Sequence, residues 1–323
     1  MYPGGYEMQK NVKFWSNIML IGAAFIWGTQ VVFQKIAATE IGPASFYGLR
    51  CVMGVFTLSV IAWIMSLRER KAEALRGEVH VKKDKAYVIR LLKVAPLCVL
   101  TNVLGNTMVQ AGLAYVPAAK AAKAAFLNSI YIIFVPILSW IVYKNRTSIF
   151  TWIGTVLAVI GLYYLCMTES FTVAAGDLII LGATIFFALH ITLIAKYVKE
   201  FVGVHFSIVE FITASIICLS FGAIFEDLSL SQIVSVIPSI LYCGIGGIGF
   251  CYALQVTAQK YTDPTVAALL MSLESVFAAF AGYIFLNERF TGREIIGIIL
   301  IFAAIILAQL PPVKDIKARL TSR

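Results

Sequence analysis

Residues 17–37 read NIMLIGAAFIWGTQVVFQKIA, and residues 176–198 read GDLIILGATIFFALHITLIAKYV. Each run is strongly apolar and has about 20 residues, the length that a helix needs to cross roughly 30 Å of hydrocarbon. When the chain is shifted by 160 positions (181 minus 21), residues 21–25 (Ile-Gly-Ala-Ala-Phe) lie over residues 181–185 (Leu-Gly-Ala-Thr-Ile). The same membrane-spanning segment therefore occurs twice, which indicates an internal duplication.

Ten such apolar runs occupy the chain, and they fall into two sets of five. The composition agrees with a membrane protein, because 60% of the residues are hydrophobic and only 13% are charged. A soluble domain carries about 25% charged residues. The runs are residues 17–37, 45–67, 94–115, 119–143, 149–167, 176–198, 206–226, 233–258, 265–286 and 294–310.

The odd number of runs in each set decides the predicted fold. After five helices, the second set must enter the membrane in the opposite orientation to the first. The prediction is an all-α integral membrane protein with ten transmembrane helices as two inverted five-helix repeats, a common plan for secondary transporters. A second block supports the duplication, since residues 124–129 lie over residues 267–272 at an offset of 143 (267 minus 124). The offset is smaller there, mainly because the first half carries a longer basic loop at residues 68–93.

The distribution of charge predicts the membrane topology. The 26 lysines and arginines give a net charge of +9, which alone could suggest a nucleic-acid partner. With the N-terminus in the cytoplasm, however, most of them fall on the cytoplasmic side, as the positive-inside rule requires. We therefore expect an inner (plasma) membrane protein with both termini in the cytoplasm, surrounded by lipid and without nucleic acid. The six cysteines lie in predicted helices without metal-ligand spacing, and we interpret them as apolar core residues.

One irregularity separates the two matching blocks. Residues 118–120 (Ala-Ala-Lys) are followed at once by a second copy at residues 121–123. Three added residues would rotate a helix by about 300°. The copy therefore either lies in the loop before the fourth helix or changes which face of that helix meets the interior. We favour the loop, because a bulge at a loop end costs less than rotating a packed helix.

Four short motifs carry a family resemblance. The first half has Ile-Trp-Gly-Thr at residues 26–29 and Gly-Pro-x-x-Phe-x-x-x-Arg at residues 42–50. The second half has Ala-Ala-Leu-Leu-Met-Ser-Leu-Glu at residues 267–274, followed by Gly-Tyr-x-x-Leu-x-Glu-Arg-Phe-Thr at residues 282–291. In this order and spacing, the motifs resemble those of EamA-type transporters of the drug/metabolite transporter superfamily. The resemblance covers residues 17–310.

This resemblance implies an architecture and a class of function. It implies a first repeat at residues 14–167 that contains the basic cytoplasmic loop 68–93, a second repeat at residues 174–310, and a basic cytoplasmic tail at residues 311–323. It also implies a central cavity between the repeats and efflux of small metabolites such as amino acids. An uptake carrier of the same fold, for a nucleobase, a vitamin or an organic acid, is the alternative, because the driving force sets the direction.

Four charged residues in the predicted helices are candidates for function. A charge at a helix centre costs about 2.5–3.5 kcal/mol on insertion scales, so each needs a reason. Glu274, near the middle of the ninth helix, is either a proton carrier, since burial disfavours the charged carboxylate, or a structural acid. Arg50 either grips a substrate carboxylate or extends to the interface. Glu210 either gates the inner mouth, carries a proton or is simply solvated. Lys123, at the start of the fourth helix, either attracts anions or extends to the interface.

Arg50 and Glu210 occupy equivalent positions in the two repeats. Because the repeats are inverted, we expect these two residues near opposite faces of the membrane, too far apart for a direct salt bridge.

Polar side chains on five helices are further cavity candidates. Gln30 and His190 are equivalent; His190 is interpreted first as a packing residue and second as a proton relay. Asn102, Asn106 and Gln110 follow an i, i+4, i+8 spacing on the third helix. This stripe either faces the cavity, which we favour, or binds neighbouring helices.

Two more pairs extend this set. They are Asn128 and Tyr131 on the fourth helix, and Tyr252 and Gln255 on the eighth. Tyr131 occupies the position that Glu274 holds in the other repeat.

The sequence lacks the constellations that enzymes need. It contains no Walker-type nucleotide loop, no Cys/His metal spacing and no serine nucleophile elbow. We therefore expect no enzymatic activity, no cofactor and no metal. The expected partners are a small-molecule substrate, membrane lipids and protons as a candidate coupling ion, and the expected state is a monomer or a weak dimer.

Overall fold

The computed structural model describes residues 3–76, 85–115, 121–144, 148–166, 174–286 and 291–310, and its helices group into ten rods. Seven rods are single helices: α1 (Pro3–Ala38), α2 (Pro43–Arg76), α3 (Lys85–Tyr115), α5 (Ile149–Cys166), α6 (Ala175–Tyr197), α7 (Gly203–Phe225) and α10 (Gly292–Ala308). Three are composite: α4 (Ala121–Ser129 and Tyr131–Tyr143), α8 (Ile237–Leu241, a π-helix at Tyr242–Phe250, and Cys251–Gln259) and α9 (Pro264–Met271 and Glu274–Leu286). A 3₁₀ turn (Val198–Glu200) follows α6, and a short helix (Leu230–Ser235) precedes α8.

Eight rods in the described part of the chain contain helices long and apolar enough to cross a membrane: α1 to α4 and α6 to α9. The apolar helix α5 is shorter, and α10 has 17 residues. The predicted all-helical membrane fold is therefore confirmed, whereas the count of ten spans stays a prediction. The outer surface suits lipid, because large apolar side chains such as Phe56, Trp63 and Leu100 are more than half exposed.

The predicted loop at residues 68–93 is wrong at both ends. Helix α2 continues to Arg76 and α3 begins at Lys85, so most of the segment is helical. Its Arg, Lys, Glu, Ala and Leu residues favour helix, and a helix that leaves the hydrocarbon can continue into water. Hydropathy marks where a helix leaves the membrane, but not where the helix ends.

Helices α4 and α9 are interrupted at equivalent positions. The Ile130 N–H donates to the Leu127 carbonyl at 3.3 Å, and the Leu273 N–H donates to the Leu270 carbonyl at 3.3 Å. These 3₁₀-type bonds lie 143 positions apart (273 minus 130), which is the repeat offset. A 3₁₀ turn inside a helix often marks a hinge, and discontinuous helices are typical of secondary transporters.

Equivalent helices from the two halves pack against each other in opposite directions. Between α5 and α10, the Cβ position of Gly154 faces the Ala304 carbonyl, whereas that of Gly161 faces the Gly297 carbonyl. Residue numbers rise along one helix as they fall along the other, so the pair is antiparallel. Helices α2 and α7 pack in the same way. Inverted repeats need this arrangement where they meet.

Helices α3 and α8 follow the same symmetry with a different offset. Gly182 of α6 faces Met108 of α3, and Gly22 of α1 faces Leu254 of α8. Because Gly182 and Gly22 are 160 positions apart, Leu254 is the counterpart of Met108, at an offset of 146 (254 minus 108). From α4 onward the offset is 143. The difference equals the three residues of the tandem copy at 118–123, which falls partly outside the described residues.

Helix α9 lies at the centre of the bundle. In its membrane-spanning window, 89% of the residues are buried, compared with 33% in the windows of α2 and α7. Its neighbours include α1, α4, α5 and α10. A polar side chain on α9 therefore meets other helices or an internal cavity, because little of this helix faces lipid.

Replacing Gly297 with alanine should destabilise the protein. The added Cβ would lie 2.5 Å from the Leu165 backbone nitrogen and 2.6 Å from the Gly161 carbonyl oxygen, which belong to the backbone of α5. Overpacking of this kind costs about 1–3 kcal/mol. Thermal unfolding in detergent should therefore occur several degrees lower than in the parent. The control is Gly292→Ala, since nothing lies within 4 Å of that position; equal melting temperatures for the two variants would contradict the close helix contact.

Candidate functional site

A cavity with about 70 Å³ of free space lies at the centre of the bundle, between α1, α3, α4, α6, α8 and α9. Several of the residues predicted from the sequence come together in its wall. These are Gln30, Asn106, Asn128, Tyr131, His190, Tyr252, Gln255 and Glu274.

Most of the lining residues form pairs related by the internal repeat. Helix α1 corresponds to α6 at an offset of 160, α3 to α8 at 146, and α4 to α9 at 143. The pairs are Trp27 with Phe187, Gln30 with His190, Val31 with Ile191, Asn106 with Tyr252, Val109 with Gln255, Asn128 with Met271, and Tyr131 with Glu274. The cavity therefore lies where the two halves of the chain meet symmetrically.

Glu274 supplies the carboxylate of the cavity wall. It is the first residue after the interruption of α9, and only 7% of it is exposed. The Asn128 Nδ2 atom donates to its Oε1 at 3.5 Å, which is the long limit of a hydrogen bond. Among the described lining residues there is no lysine or arginine. The carboxylate therefore has no opposite charge beside it in the cavity.

Three further oxygen atoms of the wall are buried acceptors. The Oε1 atoms of Gln30 and Gln255 and the Oδ1 atom of Asn128 accept no hydrogen bond from any residue that the structure describes. A buried acceptor left unpaired costs about 1–3 kcal/mol. Together with Glu274, these atoms make a wall that is rich in acceptors and suits a ligand with several N–H or O–H donors.

Aromatic rings form another part of the wall. Trp27 and Tyr252 meet edge to face with ring centroids 5.5 Å apart, and His190 meets Tyr252 at 6.0 Å. The Trp27 Nε1 atom donates to the Gly247 carbonyl at 2.9 Å. That carbonyl belongs to the π-helix of α8, a type of segment that is frequent at functional sites. The indole is thus fixed in orientation beside the cavity.

A buried polar network lies behind the wall. The His190 Nε2 and Glu210 Oε1 atoms are 2.5 Å apart, and both side chains are almost completely buried. The Asn102 Nδ2 atom donates to the same Oε1 at 2.8 Å. The Asn106 Nδ2 atom donates to Asn102 Oδ1 at 2.6 Å, and Arg50 Nη2 donates to Asn106 Oδ1 at 2.6 Å. Two asparagines of α3 therefore connect the arginine to the glutamate.

The expectation that Arg50 and Glu210 lie near opposite faces is wrong, but the two residues are connected through two asparagines and, as expected, not by a direct salt bridge. Each is the eighth residue of its helix, counted from Pro43 and Gly203, and therefore lies about 10 Å from its end of the bundle. In a hydrocarbon layer of roughly 30 Å, that leaves an axial gap of about 10 Å. The long arginine side chain and the two asparagines fill this gap. Neither Arg50 nor Glu210 is part of the cavity wall.

The polar stripe on α3 does not face the cavity throughout. Asn106 lines the cavity, whereas Asn102 is completely buried and accepts a hydrogen bond from the Tyr47 hydroxyl at 2.8 Å. Gln110 donates instead to the Gln34 carbonyl at 2.9 Å. A step of four residues rotates the side chain by about 40° beyond a full turn, so the stripe turns away from a single face. The favoured alternative is therefore wrong for Asn102 and Gln110, which bind neighbouring helices instead.

Some predicted features lie outside the description, and some lining residues were missed. The Lys123 side chain is not among the described groups, so its role in attracting anions stays a prediction. Trp27, Phe187 and Gln34 line the cavity but were not predicted from the sequence. The alignment that paired Gln30 with His190 also pairs Trp27 with Phe187 and could have identified them. In the described part of the chain, no cluster of three or more His, Cys, Asp or Glu side chains could hold a metal.

Comparison with known proteins gives consistent matches along the chain. Residues 14–167 and 174–310 match the EamA-like transporter family. An uncharacterized transporter of Archaeoglobus fulgidus is 27% identical over 307 residues, which are 95% of this chain and 89% of that protein. The uncharacterized transporter YwfM of Bacillus subtilis is also 27% identical, over 93% of this chain and 95% of its own.

A solved structure is similar in fold. This crystal structure of a protein superposes with a TM-score of 0.65 at 14% identity and covers 91% of this chain and 98% of that chain. At this identity, the likeness establishes the fold alone. The family resemblance inferred from the sequence motifs is confirmed by the family match, and the chain is a multi-pass membrane protein.

Replacing Arg50 with methionine should destabilise the protein by about 1.5–3 kcal/mol, because it removes the charged hydrogen bond to Asn106, through which the arginine is connected to Glu210. The double variant Arg50→Met/Glu210→Gln should recover most of this loss in thermal unfolding in detergent. The control is Arg90→Met, which removes an ion pair of 2.6 Å with Glu200 in which the arginine is 65% exposed. Its effect should stay below about 1 kcal/mol. If the single and double variants unfold at the same temperature, the two charges are not coupled.

Proposed function

We propose that this chain, which belongs to the EamA-like transporter family, is a secondary transporter that exports a small amine-bearing metabolite, such as an amino acid. The observation that carries the proposal is the central cavity. Its wall holds one carboxylate and three unpaired buried oxygen acceptors, without a lining cation among the described residues. The class of solute follows from the groups that such a wall can bind.

A primary ammonium group matches this wall. It carries three N–H donors and a positive charge, so it can satisfy several acceptors and pair with Glu274 through charge-assisted hydrogen bonds. The rings of Trp27, Phe187 and Tyr131 provide an apolar surface for the rest of the solute, and they attract cations through their faces. A solute with only a negative charge would meet Glu274 as a like charge.

Alternating access is the proposed mechanism. The chain would cross the inner membrane ten times as two inverted repeats, residues 14–167 and 174–310, with both termini and the tail 311–323 in the cytoplasm. The interruptions of α4 and α9 support this proposal, because they give each repeat a bending point beside the cavity. Tilting of the helices about these points would open the cavity to one face at a time. The driving gradient would set the direction.

Proton coupling through Glu274 is part of the proposal. The Glu274 side chain can take up either a proton or an ammonium group, since the neutral acid binds an ammonium group less tightly than the carboxylate does. A proton and the solute would therefore compete for one residue. The buried pair of His190 and Glu210, which touches the wall through His190, is a second group that can hold a proton.

The proposal is tested with purified protein in liposomes under an imposed pH gradient. The solutes are phenethylamine and L-phenylalanine, each compared with 3-phenylpropanoate, which lacks the ammonium group, together with nucleobases and organic acids. We expect gradient-stimulated flux of the ammonium-bearing solutes, about 10-fold or more above the analogue, as a charged hydrogen bond of 1.5–3 kcal/mol implies. Selective flux of a nucleobase or an organic acid would show that the proposed substrate class is wrong. No flux by folded protein would overturn the transport function.

Replacing Glu274 with glutamine should remove both the gradient stimulation and the preference for ammonium. The amide keeps the shape of the side chain but can neither ionise nor release a proton near neutral pH. Flux of phenethylamine and its dependence on pH are the measurements. The control is Glu200→Gln, at a carboxylate that lies outside the cavity and pairs with the exposed Arg90. Parent-like flux with unchanged pH dependence in Glu274→Gln would exclude this residue as the coupling site.

A further inference from the structure

The cavity wall departs from the repeat symmetry at one end. Four lining residues, Gln34, Leu113, Ala124 and Ala125, belong to the first repeat and have counterparts outside the wall. They lie toward the face where α1 and α3 end and α4 begins, which we call the second face. The cavity therefore extends from the centre toward the second face.

The counterparts of these residues form a closed layer toward the opposite, first face. The repeat offsets relate Gln34 to Ile194, Leu113 to Gln259, Ala124 to Ala267, and Ala125 to Ala268. Each of the four counterparts has an exposed fraction of 0%. The same positions thus line the cavity in one repeat, where 1–5% of each residue is exposed, and pack outside the cavity in the other.

A polar pocket of about 240 Å³ lies beyond this layer, at the first face. Ser139, Gln259 and Thr262 line it, and all three are more than nine-tenths buried. Both amide atoms of Gln259 and the hydroxyl oxygens of Ser139 and Thr262 have no hydrogen-bond partner in the described part of the chain. Unpaired groups of this kind need a ligand, water or a second conformation to satisfy them.

From these observations, we propose that Ile194, Gln259, Ala267 and Ala268 form the first-face gate, and that the polar pocket is the vestibule where a solute meets Gln259. This inference rests on the proposed transport function. In the opposite state, the two repeats exchange conformations. The second-face residues Gln34, Leu113, Ala124 and Ala125 then form the closed layer, and the first-face layer opens. The Gln259 amide, which is both a donor and an acceptor, then faces a solute that carries both kinds of group.

The gate is tested by cysteine labelling in sealed proteoliposomes, with a membrane-impermeant maleimide added to one face at a time. Ala125→Cys and Ala268→Cys are matched reporters, because they replace counterpart residues with the same small side chain. The parent is the blank, since its described cysteines are buried. We expect Ala125→Cys to label from the second face and Ala268→Cys, more slowly, from the first. Labelling of both from one face, or none at Ala268→Cys, would overturn the proposal.

A third reporter locates the gate. Thr262→Cys lies in the vestibule, outside the layer, and should label rapidly from the first face. Gln259→Leu places in the gate the residue type that the first repeat has at the equivalent position, Leu113. The apolar side chain should make the gate layer harder to open. In this background we expect Ala268→Cys labelling to fall at least tenfold, whereas Thr262→Cys labelling stays unchanged. Unchanged labelling at Ala268→Cys would remove Gln259 from the gate.

Two controls keep the outcomes separate. Gln309→Leu makes the same chemical change at an exposed residue just after α10, outside both cavities, where it removes only a hydrogen bond from Asn17, and should alter no reporter. Retained labelling of Ala125→Cys in the Gln259→Leu protein shows that this variant is folded. If the reporters respond as expected but no solute is transported, the proposed substrate class is at fault and the gate stands. If solute is transported while Ala268→Cys stays unreactive, transport stands and the gate lies elsewhere.

Discussion

A polar side chain inside a membrane bundle must find its partner within the protein, because hydrocarbon provides none. This constraint organises the centre of the protein. The Asn102 Oδ1 atom accepts hydrogen bonds from the hydroxyls of Tyr47 on α2 and Tyr252 on α8, while its amide nitrogen reaches Glu210 on α7. Through Glu210 the network continues to His190 on α6. One asparagine of α3 thus fixes the relative positions of several helices, and the cavity forms where their polar side chains are not all used in this way.

Several of the atoms that this constraint leaves unsatisfied lie in the two pockets, on either side of one packed layer. In the central cavity they are carbonyl oxygens of Gln30, Asn128 and Gln255, and in the first-face pocket they include both amide atoms of Gln259. Between the two lies a layer containing Ile194 and Ala268, which are sealed. Since unpaired buried groups are costly, a fold that keeps them on both sides of an apolar seal is consistent with a solute that satisfies them in turn. Unpaired polar atoms thus lie both in the proposed solute site and at the proposed entrance to the gate.

The features that depend on the repeat spacing could be predicted from the sequence. Those that depend on how deep a residue lies in the membrane could not. The equivalences of Gln30 with His190 and of Tyr131 with Glu274 could be identified because a repeat offset preserves them, and all four residues line the cavity. The contact that joins Arg50 to the network could not be predicted, because it depends on how far a long side chain reaches along the bundle axis.

The interruptions at Ile130 and Leu273 were also missed, because neither glycine nor proline marks either position. The extension of the cavity toward the second face only could not be predicted from the sequence either. It is a property of a conformational state, and one chain encodes both states.

Glu274 lies at the bending point of α9, beside the cavity. It follows directly after the bending point of α9, and its counterpart Tyr131 follows directly after that of α4. A side chain beside a pivot moves little when the two arms of a helix tilt, whereas residues one or two turns away, such as Ala125 and Ala268, move more. On the proposed mechanism, the carboxylate therefore keeps contact with the solute in both states while the gates change places around it. A single carboxylate at the bending point can then bind the solute whether the cavity is open to one face or to the other. The first repeat therefore needs no acid at the position equivalent to Glu274. The tyrosine at position 131 is consistent with this division of roles.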